Sequence, residues 1–175
     1  MEQAAVILKK GEGRTLKAGG AWIFDNEIDK VEGTPEDGSL VEVRDFDGYG
    51  MGTGFYNSRS KIRVRMMSRK AGQVIDRDFL RMRVQNAWDY RKKTVDTSSC
   101  RIIFGEADFL PGLVVDKFSD VLVVQSLALG IDSMKEEILS LLVEALRADG
   151  VEIRGIYERS DAKVREQEGL PRQKG

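Results

Sequence analysis

The sequence predicts an α+β protein in two parts, a small β-barrel followed by an α/β unit ordered strand-strand-strand-helix-strand. Three observations predict it. Up to about Arg69, apolar residues recur with a period of two and are punctuated by glycine, the mark of short strands and turns. From Asp76 the spacing becomes helical, and a mostly polar stretch from Lys92 to Ser99 follows. Beyond it, short apolar runs surround one long amphipathic segment. These changes divide the 175 residues into a barrel at 1–70, a linking helix and loop at 71–99, and an α/β unit at 100–175. The ending Leu170-Pro171-Arg172-Gln173-Lys174-Gly175 is abrupt, and the α/β unit is expected to be truncated there.

In chain order, Val6-Ile7-Leu8 opens as a strand, and the polar stretch from Glu12 to Ala18 predicts one or two helical turns broken by Gly19-Gly20. Val41 and Val43 alternate with Glu42 and Arg44, and the turn signal Asp47-Gly48 leads through Gly50, Gly52 and Gly54 to Phe55 and Tyr56 as a hairpin. Ile62, Val64 and Met66 alternate with Lys61, Arg63 and Arg65, which predicts an apolar core face and a basic outer stripe. Asp76 is the expected N-cap of a helix carrying Leu80, Val84, Ala87 and Trp88 on one face. Arg101 to Phe104, Leu113 to Val115 and Val121 to Gln125 read as strands, the last two joined through Phe118-Ser119-Asp120. Ser133 and Glu136 match a capping box for a helix stopping at Gly150. Gly155-Ile156-Tyr157 starts a further strand, and the charged Ser160 to Gly169 reads as helical.

Composition removes several classes of chemistry. Histidine is absent, so no Ser-His-Asp or Cys-His pair and no imidazole metal ligand exists. The single cysteine, Cys100, cannot close an internal disulfide and follows the polar Thr97-Ser98-Ser99. No apolar run is long enough to span a bilayer, and no basic-then-apolar leader opens the chain, so a cytoplasmic location without membrane contact is expected. Asp108, Asp116, Asp120, Glu158 and Asp161 are better explained by strand ends and turns than by a metal site. The glycine run from Gly48 to Gly54 lacks the spacing of a phosphate-binding loop, which leaves a tightly bent or bulged strand.

A formal net charge of −1 gives no global attraction to polyanions, but the cations are uneven. Lys9, Lys10, Arg14 and Lys17 form one group, and Arg59 to Lys70 is basic without an acid. Cations, flexible Gly19-Gly20 and the indole of Trp22 lie close along the chain, a mixture that RNA recognition uses for phosphates and unstacked bases. Core packing is the expected role of Trp22 and Phe24 taken singly; the cations are the stronger candidates.

Lys10-Gly11, Arg14, Gly20-Ala21-Trp22-Ile23-Phe24, Glu27-Ile28, Gly38, Val41, Val43, Gly54-Phe55-Tyr56-Asn57 and Ser60-Lys61-Ile62 resemble the PUA domain that opens bacterial large-subunit rRNA methyltransferases. Further on, Gly105-Glu106-Ala107-Asp108-Phe109-Leu110-Pro111-Gly112-Leu113-Val114-Val115-Asp116, Gly155-Ile156-Tyr157-Glu158-Arg159-Ser160-Asp161, Val164-Arg165 and Glu168-Gly169-Leu170 are similar to the central domain of the family that methylates carbon 5 of cytosine in rRNA. That family commonly has His-Pro before the tryptophan, where this chain has Gly20-Ala21, so no histidine contact to RNA carries over.

The resemblance implies a PUA-like RNA-binding domain ahead of a central α/β domain in an S-adenosylmethionine-dependent rRNA methyltransferase. It implies that cofactor and catalysis reside in a further domain, so that this chain holds no cofactor, metal or catalytic residue and is inactive alone. Ribosomal RNA is the expected partner, with Lys9, Lys10, Arg14, Lys17, Arg59 and Lys61 on phosphates, Gly19 and Gly20 allowing close approach, and Trp22 stacking. Two other readings stand beside it: a free-standing PUA-type RNA-binding adaptor, and a protein-interaction or dimerisation module forming a homodimer.

Overall fold

The structure is a computed structural model describing residues 2–175. It divides into two compact units, the first ending at Val74 and the second running from Ile75 to Gly175.

The first unit contains β1 (Ala5–Leu8), the single-turn α1 (Arg14–Lys17), β2 (Trp22–Phe24), β3 (Ile28–Glu32), β4 (Leu40–Arg44), β5 (Gly50–Tyr56) and β6 (Ile62–Ser68). They form a six-stranded sheet in the order β2-β6-β5-β4-β1-β3, curled into a half-barrel. Its neighbours are antiparallel except β1 and β4, which run parallel. Val6, Leu8, Leu16, Ile23, Val41, Val43, Met51, Tyr56, Val64 and Met66 fill the curl, so α1 is anchored through Leu16 alone. The alternation in β4 is as expected, with Val41 and Val43 buried while Glu42 and Arg44 pair outside at 2.8 Å.

The Asp47-Gly48 hairpin is present. Asp45 Oδ1 accepts the amides of Asp47 and Tyr49 at 3.0 and 2.9 Å, and Gly48 takes φ 87°. The glycine run becomes β5 with register shifts on both sides. At Gly52, φ is 133° and an added Cβ would lie 2.0 Å from the Ser68 carbonyl oxygen, so glycine lets β6 approach here. The outer stripe of β6 departs from expectation. Arg65 is buried and its guanidinium stands 5.3 Å from the Trp22 ring centroid, while Arg63 reaches the Ser60 carbonyl at 3.2 Å. Only Lys61 of the three is fully exposed, because β2 pairs along β6 and its aromatic ring covers the guanidinium.

The second unit begins with α2 (Arg77–Thr94), capped by Asp76, whose Oδ1 accepts the Phe79 amide at 2.9 Å. Phe79, Leu80, Val84, Ala87 and Trp88 are its buried stripe, directed at other elements of the same unit. There follow β7 (Ser99–Phe104), β8 (Leu113–Phe118), β9 (Val121–Ser126), α3 (Leu129–Ala148), β10 (Gly155–Ser160), α4 (Val164–Gln167) and β11 (Gln173–Lys174). The sheet order is β11-β10-β9-β8-β7, with β9 and β10 parallel across α3, as strand-strand-strand-helix-strand requires. Phe118 pairs with Val121 across the two-residue turn Ser119-Asp120, where Ser119 has φ 55°.

Two local expectations are corrected. The capping box at Ser133 and Glu136 does not start α3, which begins four residues earlier. Ser133 is inside the helix and its hydroxyl donates back to the Gly130 carbonyl at 2.6 Å. Burial of Ala128 and Ile131 draws the earlier turn into the core, so packing outweighs the cap signal. The charged tail is helical only over the single turn of α4, because Arg165 is turned into the protein: Nη1 donates to the Ser126 carbonyl and to Asp132, and Nε to the Pro171 carbonyl at 2.8 Å.

Candidate nucleic-acid interface

The chain leaving β1 turns at once. Lys9 donates its amide to the Glu27 carbonyl at 2.9 Å, Glu12 donates to the Lys9 carbonyl at 3.0 Å, and Gly11 and Gly13 take φ 82° and 89°. That turn gathers Lys9, Lys10, Arg14 and Lys17 around one concavity of about 220 Å³, closed opposite by Asp45, Phe46 and Asp47 of the β4–β5 turn. All four cations are exposed. Lys17 also borders an adjoining concavity of about 400 Å³ with Tyr49, Arg69 and Lys70. The cations grouped by sequence are thus grouped in space. The facing aspartates were not foreseen, because about 30 residues of chain separate them from the lysines.

Gly19 and Gly20 have a structural role in this turn. The Arg69 guanidinium donates to both of their carbonyls, the Gly20 amide donates to the Thr15 carbonyl at 2.7 Å, and a Cβ on Gly20 would lie 2.6 Å from Thr15 Cγ2. Arg59 and Lys61 do not line the concavity. Arg59 lies 4.0 Å from Asp37, and the amide of Ser58 on that carboxylate holds it below the usual range. Trp22 and Phe24 correct the core-packing expectation: they flank the buried Ile23 on the outer face of β2 and are 38% and 41% exposed. Their rings meet edge-on at 6.3 Å.

The second unit carries a larger concavity, about 660 Å³, between α2 and the turn after β7. Arg83, Asn86 and Tyr90 of α2 form one wall, with Phe104 and Phe109 among the opposite residues. Beneath them Arg91 and Asp108 pair at 2.7 Å, both nearly buried, and Asp108 Oδ2 also accepts the Phe104 amide at 2.7 Å. Burial pushes the Arg83 guanidinium below its ordinary pKa, and its Nη1 donates to the Phe109 carbonyl at 3.1 Å. No sequence pattern pointed to this cavity.

Among the described residues, no group of three or more His, Cys, Asp or Glu side chains is placed to hold a metal, and no helix is long and apolar enough to cross a membrane. Burial pushes the half-buried Cys100 thiol up, away from nucleophilic thiolate. The parallel strands β9 and β10 are joined through α3. Asp132, at the head of α3, is held by Arg165 at 3.0 Å and Lys135 at 3.4 Å, leaving that carboxylate engaged by cations.

Residues 6–69 match the family model described as a PUA-like domain. Along almost its full length the chain is then similar to proteins named ribosomal RNA large subunit methyltransferase I. Those of Pseudoalteromonas translucida, Vibrio cholerae and Tolumonas auensis are 36%, 38% and 35% identical over 98%, 98% and 97% of this chain. The chain spans 43%, 42% and 42% of their respective lengths. A solved structure from Streptococcus mutans, provisionally designated a SAM-dependent methyltransferase, shares the fold with a TM-score of 0.72 at 17% identity, over 89% of this chain and 40% of that one. A methyltransferase structure described in complex with SAH matches with the same values.

Proposed function

We propose that this chain is the RNA-positioning part of an S-adenosylmethionine-dependent methyltransferase acting on carbon 5 of a cytosine in large-subunit rRNA, in the cytoplasm. The observation that carries the proposal is the concavity on the PUA-like unit, where four exposed cations from one turn stand together. Such a cluster grips phosphate without reading sequence, which is what placing a structured RNA requires. Arg59, Lys61 and Trp22 extend the proposed contact surface beyond the concavity, and Gly19-Gly20 shape its border. The methyl-transfer chemistry and the cofactor belong, in this reading, to the share of the relatives' length that this chain does not match. S-adenosylmethionine would supply the methyl group there, while the residues described here bind and orient RNA.

The test is binding of the 175-residue chain to a structured large-subunit rRNA fragment across a salt series, with the Lys10→Ala/Arg14→Ala variant alongside. Salt-dependent binding that the double substitution weakens is expected. Equal affinity for wild type and variant at every salt concentration would remove the concavity from the RNA contact.

A further inference from the structure

We infer that the concavity of the second unit is a receptor for one unstacked nucleobase of single-stranded RNA, held between aromatic rings and read by Arg83 and Asn86. The inference rests on the RNA-positioning reading and adds to it a site where a base, not only phosphate, is recognised.

Three large rings converge on this cavity while remaining open to solvent: Tyr90 is 59% exposed, Phe104 52% and Phe109 56%. Each is stiffened by a guanidinium, with Arg91 5.0 Å from the Tyr90 centroid, Arg101 5.0 Å from Phe104 and Arg83 5.1 Å from Phe109. Those guanidiniums are themselves tied down. Arg91 pairs with Asp108 at 2.7 Å and donates to the Arg101 carbonyl at 2.6 Å, and Arg101 pairs with Asp116 at 2.7 Å. The rings therefore stand on a fixed frame, which lowers the entropy lost when a flat ligand stacks on them.

Phe109 carries a second signal. It sits at φ 58°, a left-handed conformation that a bulky L-residue adopts at a cost, and the ring so displayed is not buried. Strain of this kind persists where the surroundings over-determine it, and it gathers at ligand sites. The structure supplies that over-determination, since the Phe109 carbonyl is held by Arg83 and its amide by the Glu106 carbonyl at 3.1 Å.

The occupant follows from the lining. A cavity of about 660 Å³ lies within the range of about 300–1,000 Å³ usual for small-ligand sites. Aromatic faces and guanidinium planes stack bases of any kind, while the Asn86 amide and Arg83 donors match the hydrogen-bonding edge of a base. An apolar peptide side chain would leave the exposed Asn86 amide without a complementary group.

The experiment uses the whole chain and a short single-stranded RNA carrying one fluorescent purine analogue whose emission falls on stacking. Wild type should quench it on binding. Tyr90→Ala and Phe109→Gly should lose the quench and weaken binding about tenfold, the lower part of what one base stack on an aromatic contributes. Phe109→Gly keeps the turn, because glycine accepts φ 58° without strain, and an unchanged melting temperature in either variant confirms that the loss is local. The Lys10→Ala/Arg14→Ala variant should bind less tightly yet quench fully at saturation. Binding that is salt-dependent and sensitive to Lys10 and Arg14, but never quenches and ignores Tyr90 and Phe109, would overturn the receptor alone and leave the groove to a protein partner. No RNA binding by wild type would overturn both readings.

Discussion

Replacing Lys10 and Arg14 by alanine should change the slope of RNA affinity against salt, and the structure sets how far. Four exposed cations line the concavity, and the substitution leaves Lys9 and Lys17. Each phosphate neutralised releases condensed counterion, so log K falls against log salt with a slope of about 0.9 per contact on duplex and about 0.7 on single strands. With four contacts on duplex RNA, affinity should drop about 150-fold between about 50 and 200 mM salt; with two it should drop about 12-fold. Fluorescence anisotropy of a labelled rRNA fragment, titrated at several salt concentrations, gives both slopes directly. Both side chains are exposed, so melting temperature should not move and the comparison stays one of binding. Parallel log-log lines for the two proteins would refute the reasoning, since they would show that these cations neutralise no phosphate.

Other consequences concern the frame. Arg165→Met removes a guanidinium that is 1% exposed and serves Asp132 and two carbonyls, and breaking such a buried pair costs about 3–5 kcal/mol; Lys135 still faces Asp132 at 3.4 Å, which points to the lower end. Urea unfolding followed by the buried Trp88 in a Trp22→Phe background isolates the second unit, and a loss below about 1 kcal/mol would sink this account. Burial raises the Asp132 carboxyl, but the Arg165 hydrogen bond and the Lys135 and Arg165 charges lower it, and the pKa lies below the ordinary value. A depressed folded-state pKa contributes stability that is present above the unfolded value of about 3.9 and lost as pH falls through the folded one, so the gap between wild type and Arg165→Met should narrow below about pH 4. Gly52→Ala would put a Cβ 2.0 Å from the Ser68 carbonyl oxygen and 2.8 Å from Arg69 Cα at φ 133°, so that backbone has to give way at both of its closest contacts. It should destabilise the first unit by about 3 kcal/mol or more while the Trp88 transition is unmoved; a first-unit midpoint equal to wild type would show that β5 and β6 can part there cheaply.

The sequence made local order visible wherever one physical rule acted alone. Period two in Val41 to Arg44, the Asp76 cap and the Asp47-Gly48 turn each became the expected element, because the nearest residues decide them. It misled where two rules competed. Ser133 and Glu136 spell a helix start, yet burying Ala128 and Ile131 begins α3 a turn sooner. Arg65 occupies an outward strand position, yet Trp22 from β2 covers its guanidinium. The cation group was legible because one turn supplies all of it, whereas Asp45 and Asp47, which face it, arrive by strand pairing that no local pattern reveals. The second-unit cavity was illegible for a stronger reason. It depends on Phe109 standing at a positive φ, against the preference of its own side chain.

In the proposed function, the chain selects an RNA with little help from its overall charge. Its formal charge is −1, and aspartates face the concavity where Lys9, Lys10, Arg14 and Lys17 gather, so the long-range pull on a polyanion is weak and local. A grip of that size holds many RNAs about equally, because phosphate carries no sequence. Selection then has to come from contacts that only some RNAs can complete, and an unstacked base is available only in loops, bulges and ends. Two modest contacts on one chain reinforce each other through effective concentration when one RNA satisfies both, and give nothing extra when it satisfies one. If both proposed contacts hold, a weak phosphate grip is an advantage: RNAs lacking a suitable exposed base would dissociate, and the aromatic groove would decide which ones stay.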